Sequence, residues 1–75
     1  MTFYPGLVLY WAHPMPTGAI VAVRLKSVSV PPGQPTVAVW LVDVMRVETR
    51  GREAVRVTED ALYEHELHRM RKTPP

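Results

Sequence analysis

The amino-acid sequence predicts a mainly β fold, a small barrel of four to five antiparallel strands with a C-terminal helix. A central stretch from Thr36 to Thr58 reads as a long strand, a tight turn and a return strand. Two earlier stretches, Gly6 to Ala12 and Ala19 to Val30, have the apolar patterns and lengths of strands. All eight prolines lie in the intervening loops or near the termini, where a missing backbone N–H does not interrupt a sheet.

The first two strands differ in their expected burial. Gly6 to Ala12 is apolar at both alternating sets of positions, which is typical of a strand covered on both faces. In the second strand Val21, Val23 and Leu25 alternate with Arg24 and Lys26, which predicts a half-buried strand with a basic outer face. The apolar phase then moves to Val28 and Val30, which predicts a β-bulge between the two halves of this strand.

The central hairpin contains a similar change of phase. Val37 to Val44 is apolar at both alternating sets of positions, whereas Met45 and Val47 are apolar beside polar neighbours. Side chains alternate strictly along a strand, so this change predicts a bulge or a sharp bend near Asp43 to Met45. Such bends allow a short sheet to curl into a barrel.

The length of the hairpin turn sets the register of its two strands. A three-residue turn, Thr49-Arg50-Gly51, would place Met45 opposite Val55, whereas a two-residue turn, Arg50-Gly51, would place Met45 opposite Arg56. We favour the three-residue turn because it pairs apolar residues with each other and also pairs opposite charges.

The segment after Thr58 has a helical pattern. Thr58 can cap a helix over residues 59–71, with acidic residues in its first turn and basic residues in its last. The narrow apolar stripe of this helix consists of Leu62, Tyr63, Leu67 and Met70. Residues 61–67 could instead form a fifth strand, although we favour the helix. We assign residues 1–72 to a single domain and expect residues 73–75 to be a disordered tail.

Four short strands, two irregular loops, a tight distal hairpin and a terminal helical segment resemble a small barrel of the Src-homology-3 (SH3) type. The stretch RVTEDALYE, which starts at Arg56, looks like the strand and helical turn that end such barrels. This resemblance covers most of the chain and implies an SH3-like barrel. Barrels of this shape commonly bind nucleic acid, peptides or other subunits, so the fold does not choose among these partners.

Composition narrows the protein class. The chain of 75 residues has no cysteine, which excludes a disulfide framework, a thiolate metal site and a cysteine nucleophile. The absence of cysteine is compatible with a reducing compartment, and we expect a cytoplasmic location. No apolar run approaches the roughly 18 to 20 residues of a membrane span, and the N-terminus lacks the features of a signal peptide. We therefore expect no membrane partner.

Basic residues are concentrated in the predicted sheet. Residues 1–58 carry six basic and three acidic groups, whereas residues 59–75 carry three and four. Arginine is suited to phosphate because its planar group donates two parallel hydrogen bonds. The alternative is a solvated, charge-balanced surface, because Glu48 shares this face and Glu53 lies beside it. The candidate nucleic-acid-binding residues, which the favoured register brings to one outward face and its turn, are Arg24, Lys26, Arg46, Arg50, Arg52 and Arg56.

Aromatic residues form a second candidate surface. A β-rich domain this small has few interior positions for its 47% hydrophobic residues, so part of the apolar surface is expected to meet a protein partner or a second copy. The alternative is that the two tryptophans fill the core. The candidate partner-binding residues are Tyr10, Trp11 and Trp40.

The sequence offers little for catalysis or metal binding. His65 and His68 are three residues apart, and HELH does not match the H-E-x-x-H zinc pattern, so we interpret both as exposed helix residues and predict no metal site. Phosphate-cradling, dinucleotide-binding and nucleophile-elbow motifs are absent from the sequence. The chain is therefore predicted not to be an enzyme, and neither a cofactor nor a small-molecule substrate is indicated.

These patterns together predict a binding module. We favour nucleic acid or another anionic partner, held on the basic face by phosphate contacts with weak sequence preference. The alternative is a protein-interaction or structural subunit, either a homo-oligomer or an accessory or inhibitor protein, that uses the apolar strands and the aromatic residues.

Overall fold

A computed structural model of the protein describes residues 2–16, 18–34, 37–47 and 54–75, the last range including four residues described by backbone alone. Within these ranges the chain forms one open antiparallel sheet with strand order β1-β2-β3-β4 and one short helix. The prediction of a mainly β, antiparallel fold is thereby confirmed. The elements are β1 (Val8–Tyr10), β2 (Ile20–Ser29), β3 (Val39–Val47), β4 (Ala54–Tyr63) and α1 (Glu64–Leu67).

Both predicted irregularities occur in the sheet. The register of β2 against β3 shifts between Leu25 and Ser27, so Lys26 is the extra residue of a bulge just before the expected change of phase. The register of β3 against β4 shifts between Val44 and Met45, as expected from the sequence. In this second case the extra residue belongs to β4, so β3 keeps its strict alternation of side chains and the predicted change of phase along β3 is wrong.

The favoured register of the central hairpin is wrong. Met45 lies opposite Arg56, the pairing that was assigned to a two-residue turn, rather than opposite Val55. The prediction considered only the pairing of β3 with β4. Met45 also lies opposite the buried Ala22 of β2. Met45 is buried, so the β2 side of β3 already supplies its apolar neighbour. The turn itself, including Arg50 and Arg52, lies outside the described residues.

The predicted helix over residues 59–71 is also wrong. β4 continues to Tyr63, and α1 contains only Glu64–Leu67. The reason is the length of β3, whose residues 39–43 pair with residues 59–63 and hold them in the sheet against their local helical pattern. The backbone N–H of Tyr63 donates to Oε2 of Glu66 at 2.8 Å and marks the start of the helix.

The core lies on one side of the sheet, which we call the inner face. Leu9, Leu25 and Val42 on this face are fully buried. They are covered by Leu67 of α1 and by Met70, which follows it; of the predicted apolar stripe these two are buried, whereas Tyr63 is exposed. The opposite side of the sheet, which carries the charged side chains around Asp43, is the outer face.

The end of the chain folds back onto β1. The N–H of Tyr10 donates to the carbonyl of Arg71 at 2.7 Å, and the N–H of Arg71 donates to the carbonyl of Tyr10 at 2.9 Å. This bridge and the buried Leu67 hold residues 64–71 across one end of the inner face.

Candidate interaction groove

Two of the predicted nucleic-acid-binding residues already have acidic partners on the outer face. The Arg24 guanidinium lies 3.3 Å from Oδ2 of Asp43, and Nζ of Lys26 lies 3.6 Å from Oδ1 of the same carboxylate. Lys26 also forms an ion pair with Glu59, which is opposite Asp43 in the register. Two cations thus pair with two carboxylates. The described part of the outer face is therefore charge-balanced, which is the alternative to a nucleic-acid-binding face.

The predicted shared face of Arg24 and Arg46 is wrong. Arg24 lies opposite Asp43, whereas Arg46 lies opposite Val21. Val21 and Arg24 are three positions apart on a regular part of β2, so the two arginines project from opposite sides of the sheet. Arg46 is exposed and shares the inner face with Val21. At the level of the backbone, Arg56 pairs with Met45.

The three predicted partner-binding aromatics have different environments. Trp40 is 3% exposed, and its Nε1 donates to Oε1 of Glu64 at 3.2 Å, so it belongs to the core rather than to a contact surface. Tyr10 is half-buried and pairs through its backbone with Arg71. Trp11 is 46% exposed. Of the three, Trp11 presents the largest free surface to a partner.

A groove of about 360 Å³ opens on the inner face beside Trp11. Its lining comes from β2, β3, β4, the loop after β1 and the segment after α1. Val44 and Leu62 in the lining also pack against the buried core, so the floor is supported from beneath. The lining residues, which we call the groove, are Trp11, Met15, Val21, Val23, Val44, Leu62 and Met70.

A second cavity of about 240 Å³ adjoins the groove and shares Trp11 with it. It is lined by Trp11, Ala12, His13 and Arg69, and we call it the side cavity. Arg69 is exposed and forms no ion pair with the residues that the structure describes. An apolar groove and a cavity bordered by an arginine therefore share one exposed tryptophan.

Sequence reasoning identified Trp11 but missed most of the groove. The alternation of Val21 and Val23 predicted a buried face, and nothing in the pattern showed that part of this face would stay uncovered. Leu62 was assigned to a helix, and Met15 lies in a loop between two prolines. A signal was present in the composition, because the apolar content exceeds what so small a core can hold.

His65 and His68 take part in ring contacts. His65 stacks on Tyr63 with ring centroids 5.4 Å apart, and His68 lies 4.9 Å from Phe3. Among the described residues, no group of three or more His, Cys, Asp or Glu side chains is arranged to hold a metal ion. In the same part of the chain no helix has the length and apolar character needed to cross a membrane.

Neither a protein-family model nor a curated protein nor a solved structure matches this chain.

Proposed function

We propose that this protein is a protein-interaction module that binds an apolar segment of a partner in the groove. The observation that carries this proposal is the exposure of Trp11 above an apolar groove on the face of the sheet that forms the core. Tryptophan is among the residues most often responsible for binding energy in protein interfaces. Apolar surface gathered in this way beside buried residues is typical of a binding site.

The dimensions of the groove suit a small number of side chains. Binding pockets for drug-sized ligands have volumes of roughly 300 to 1,000 Å³ and are lined mainly by apolar groups, and the groove lies at the lower end of this range. Val44 and Leu62 rest on the core, so the groove exists before a partner arrives and little ordering free energy is lost on binding.

We also propose that the sheet curls toward an SH3-like barrel. Support comes from the two bulges, which bend the long strands, and from the short helix that follows β4. The backbone bridge between Tyr10 and Arg71 adds to this, because it joins the C-terminal segment to the edge of β1. In such a barrel the bent inner face would be concave around the groove.

Nucleic-acid binding, which the sequence favoured, is a second proposal. Arg24 and Lys26 would have to exchange Asp43 and Glu59 for phosphate, and Arg46 projects from the other side of the sheet. Arginine-rich turn residues belong to the prediction but lie outside the described residues. Oligonucleotide titration with a fluorescence-anisotropy readout at two salt concentrations measures this activity directly, because phosphate binding weakens steeply with salt.

Peptide selection tests the proposed function. The wild-type protein is screened against a displayed library of random twelve-residue peptides, and the affinity of one selected peptide is measured by calorimetry. We expect Trp11→Ala to weaken binding about 30-fold or more, the range of an interface hot spot. Tyr4→Ala is the matched control, because Tyr4 is an aromatic residue of similar exposure that does not line the groove.

The control should bind within about threefold of the wild-type affinity, as expected for a surface substitution outside the site. Failure to select any peptide, or equal affinity of wild type and Trp11→Ala, would contradict the groove as the binding site. Salt-sensitive oligonucleotide binding that is unaffected by Trp11→Ala would favour the nucleic-acid prediction instead.

A further inference from the structure

We propose that the partner segment carries an acidic side chain beside its apolar anchor, and that this carboxylate binds Arg69 in the side cavity. The proposal rests on the proposed function of the groove and adds a specificity to it. The occupant is thus a segment of a partner protein in which Asp or Glu follows or precedes a large apolar residue. Three features of the side cavity support this assignment.

The first feature is the state of Arg69. It is the only charged residue among the described residues that line the groove and the side cavity. On the outer face, by contrast, the cations Arg24 and Lys26 face Asp43 and Glu59 within the molecule. The guanidinium of Arg69 is therefore available to bind a carboxylate of a partner, to which it can donate two parallel hydrogen bonds.

The second feature is the anchoring of the backbone around Arg69. Its N–H donates to the carbonyl of Glu66 at 3.2 Å, and the next residue, Met70, is buried. Arg71, the residue after Met70, is hydrogen-bonded to the backbone of Tyr10 through both its N–H and its carbonyl. The backbone that carries the Arg69 side chain is consequently held beside the cavity by the fold, so little backbone freedom is lost when this side chain pairs.

The third feature is the shared wall. Trp11 lines both cavities, so a segment that places an apolar side chain against Trp11 in the groove can place a neighbouring side chain in the side cavity. A basic side chain at the same place would meet Arg69 with like charge, which disfavours it.

The test uses the peptides selected by the wild-type protein and compares Arg69→Glu with Lys72→Glu. Both variants change the charge of the full-length chain equally, but Lys72 does not line either cavity. We expect selected peptides to carry Asp or Glu next to an apolar residue. Arg69→Glu should weaken their binding about tenfold or more, as expected for a lost hydrogen bond between charged groups, and Lys72→Glu should change it by about twofold or less.

A second measurement separates a direct contact from a general charge effect. In one selected peptide the acidic residue is replaced by its amide, Glu by Gln or Asp by Asn. This peptide should bind the wild-type protein as weakly as the original peptide binds Arg69→Gln, and Arg69→Gln should weaken it little further. The thermal unfolding of each variant is measured first, and Arg69→Gln replaces Arg69→Glu if the charge reversal lowers the midpoint.

The outcomes distinguish the two proposals. Apolar peptides without acidic preference, bound equally by wild type and the Arg69 variants but lost in Trp11→Ala, would overturn the acidic contact and leave the groove in place. Equal loss in Arg69→Glu and Lys72→Glu would overturn the specific contact in favour of a diffuse charge effect. Peptide binding that is insensitive to Trp11→Ala would overturn the groove itself.

Discussion

The inner face of the sheet has two halves that share one sequence pattern and differ in their cover. In the covered half Leu25 and Val42 are completely buried beneath Leu67 and Met70. In the open half Val21 and Val44 are half-buried and line the groove. Alternating apolar residues produce both halves, so the pattern of a strand does not decide whether its face becomes core or binding surface. A part of the face becomes core where residues 64–71 cover it and stays open where they do not.

The two tryptophans show the same contrast with a single residue type. Trp40 is 3% exposed and hydrogen-bonded through its indole N–H, whereas Trp11 is 46% exposed between two cavities. The first has an environment typical of a residue that stabilises the fold. The second has the exposure and apolar surroundings of a residue that contacts a partner.

Removing each tryptophan is expected to give the largest difference between the halves. Trp40→Ala should lower the free energy of unfolding by about 3 to 5 kcal/mol, the usual cost of deleting a buried aromatic side chain. Trp11→Ala should lower it by about 1 kcal/mol or less, because much of its surface is already in water. Urea denaturation followed by circular dichroism measures both values.

Equal costs for the two substitutions would contradict the division of the inner face. A large cost for Trp11→Ala would show that its indole ring stabilises the fold, and its role as a free contact residue would then be lost.

A smaller effect is expected from the hydrogen bond that joins the covered half to α1. Glu64→Ala removes the acceptor of the buried Trp40 N–H and should cost about 1 to 3 kcal/mol, the range for leaving a buried donor unpaired. Glu64→Gln keeps an acceptor oxygen at nearly the same position and should cost less than half as much. Urea denaturation of the two variants measures the difference.

If Glu64→Ala and Glu64→Gln were equally stable, the contact between Trp40 and Glu64 would not fix the segment in place. The cover of the inner face would then depend on Leu67, Met70 and the Tyr10–Arg71 bridge alone.

Local patterns predicted the strands well where one chain segment contains the whole signal. Alternation along β2 gave its bounds to within one residue, and the change of apolar phase gave the bulge at Lys26. The prolines in the described ranges all lie outside the strands, as expected because proline cannot donate to a sheet. Each of these features depends on residues that are neighbours in the sequence.

Predictions that depended on a third strand failed. The register of Met45 followed its contact with Ala22 of β2 rather than the match with β4, and residues 59–63 joined β3 although their own pattern favoured a helix. The supposed basic face failed for a different reason: β3 keeps its alternation through Val44 and Met45, so Arg46 lies on the inner face with Val44. The groove was not predictable either, because it is open only where residues 64–71 do not cover the inner face.

Acrylamide quenching of two variants that each keep one tryptophan is the most direct test of Trp11 as the contact residue of the groove. Trp40→Phe leaves Trp11 as the single tryptophan, and Trp11→Phe leaves Trp40. The peptide selected by the wild-type protein is added to each variant in excess. We expect Trp11 to be quenched strongly in the free protein and to become shielded when the peptide binds, whereas Trp40 should be shielded with or without it. Quenching of Trp11 that stays unchanged when the peptide binds would contradict the groove as the binding site.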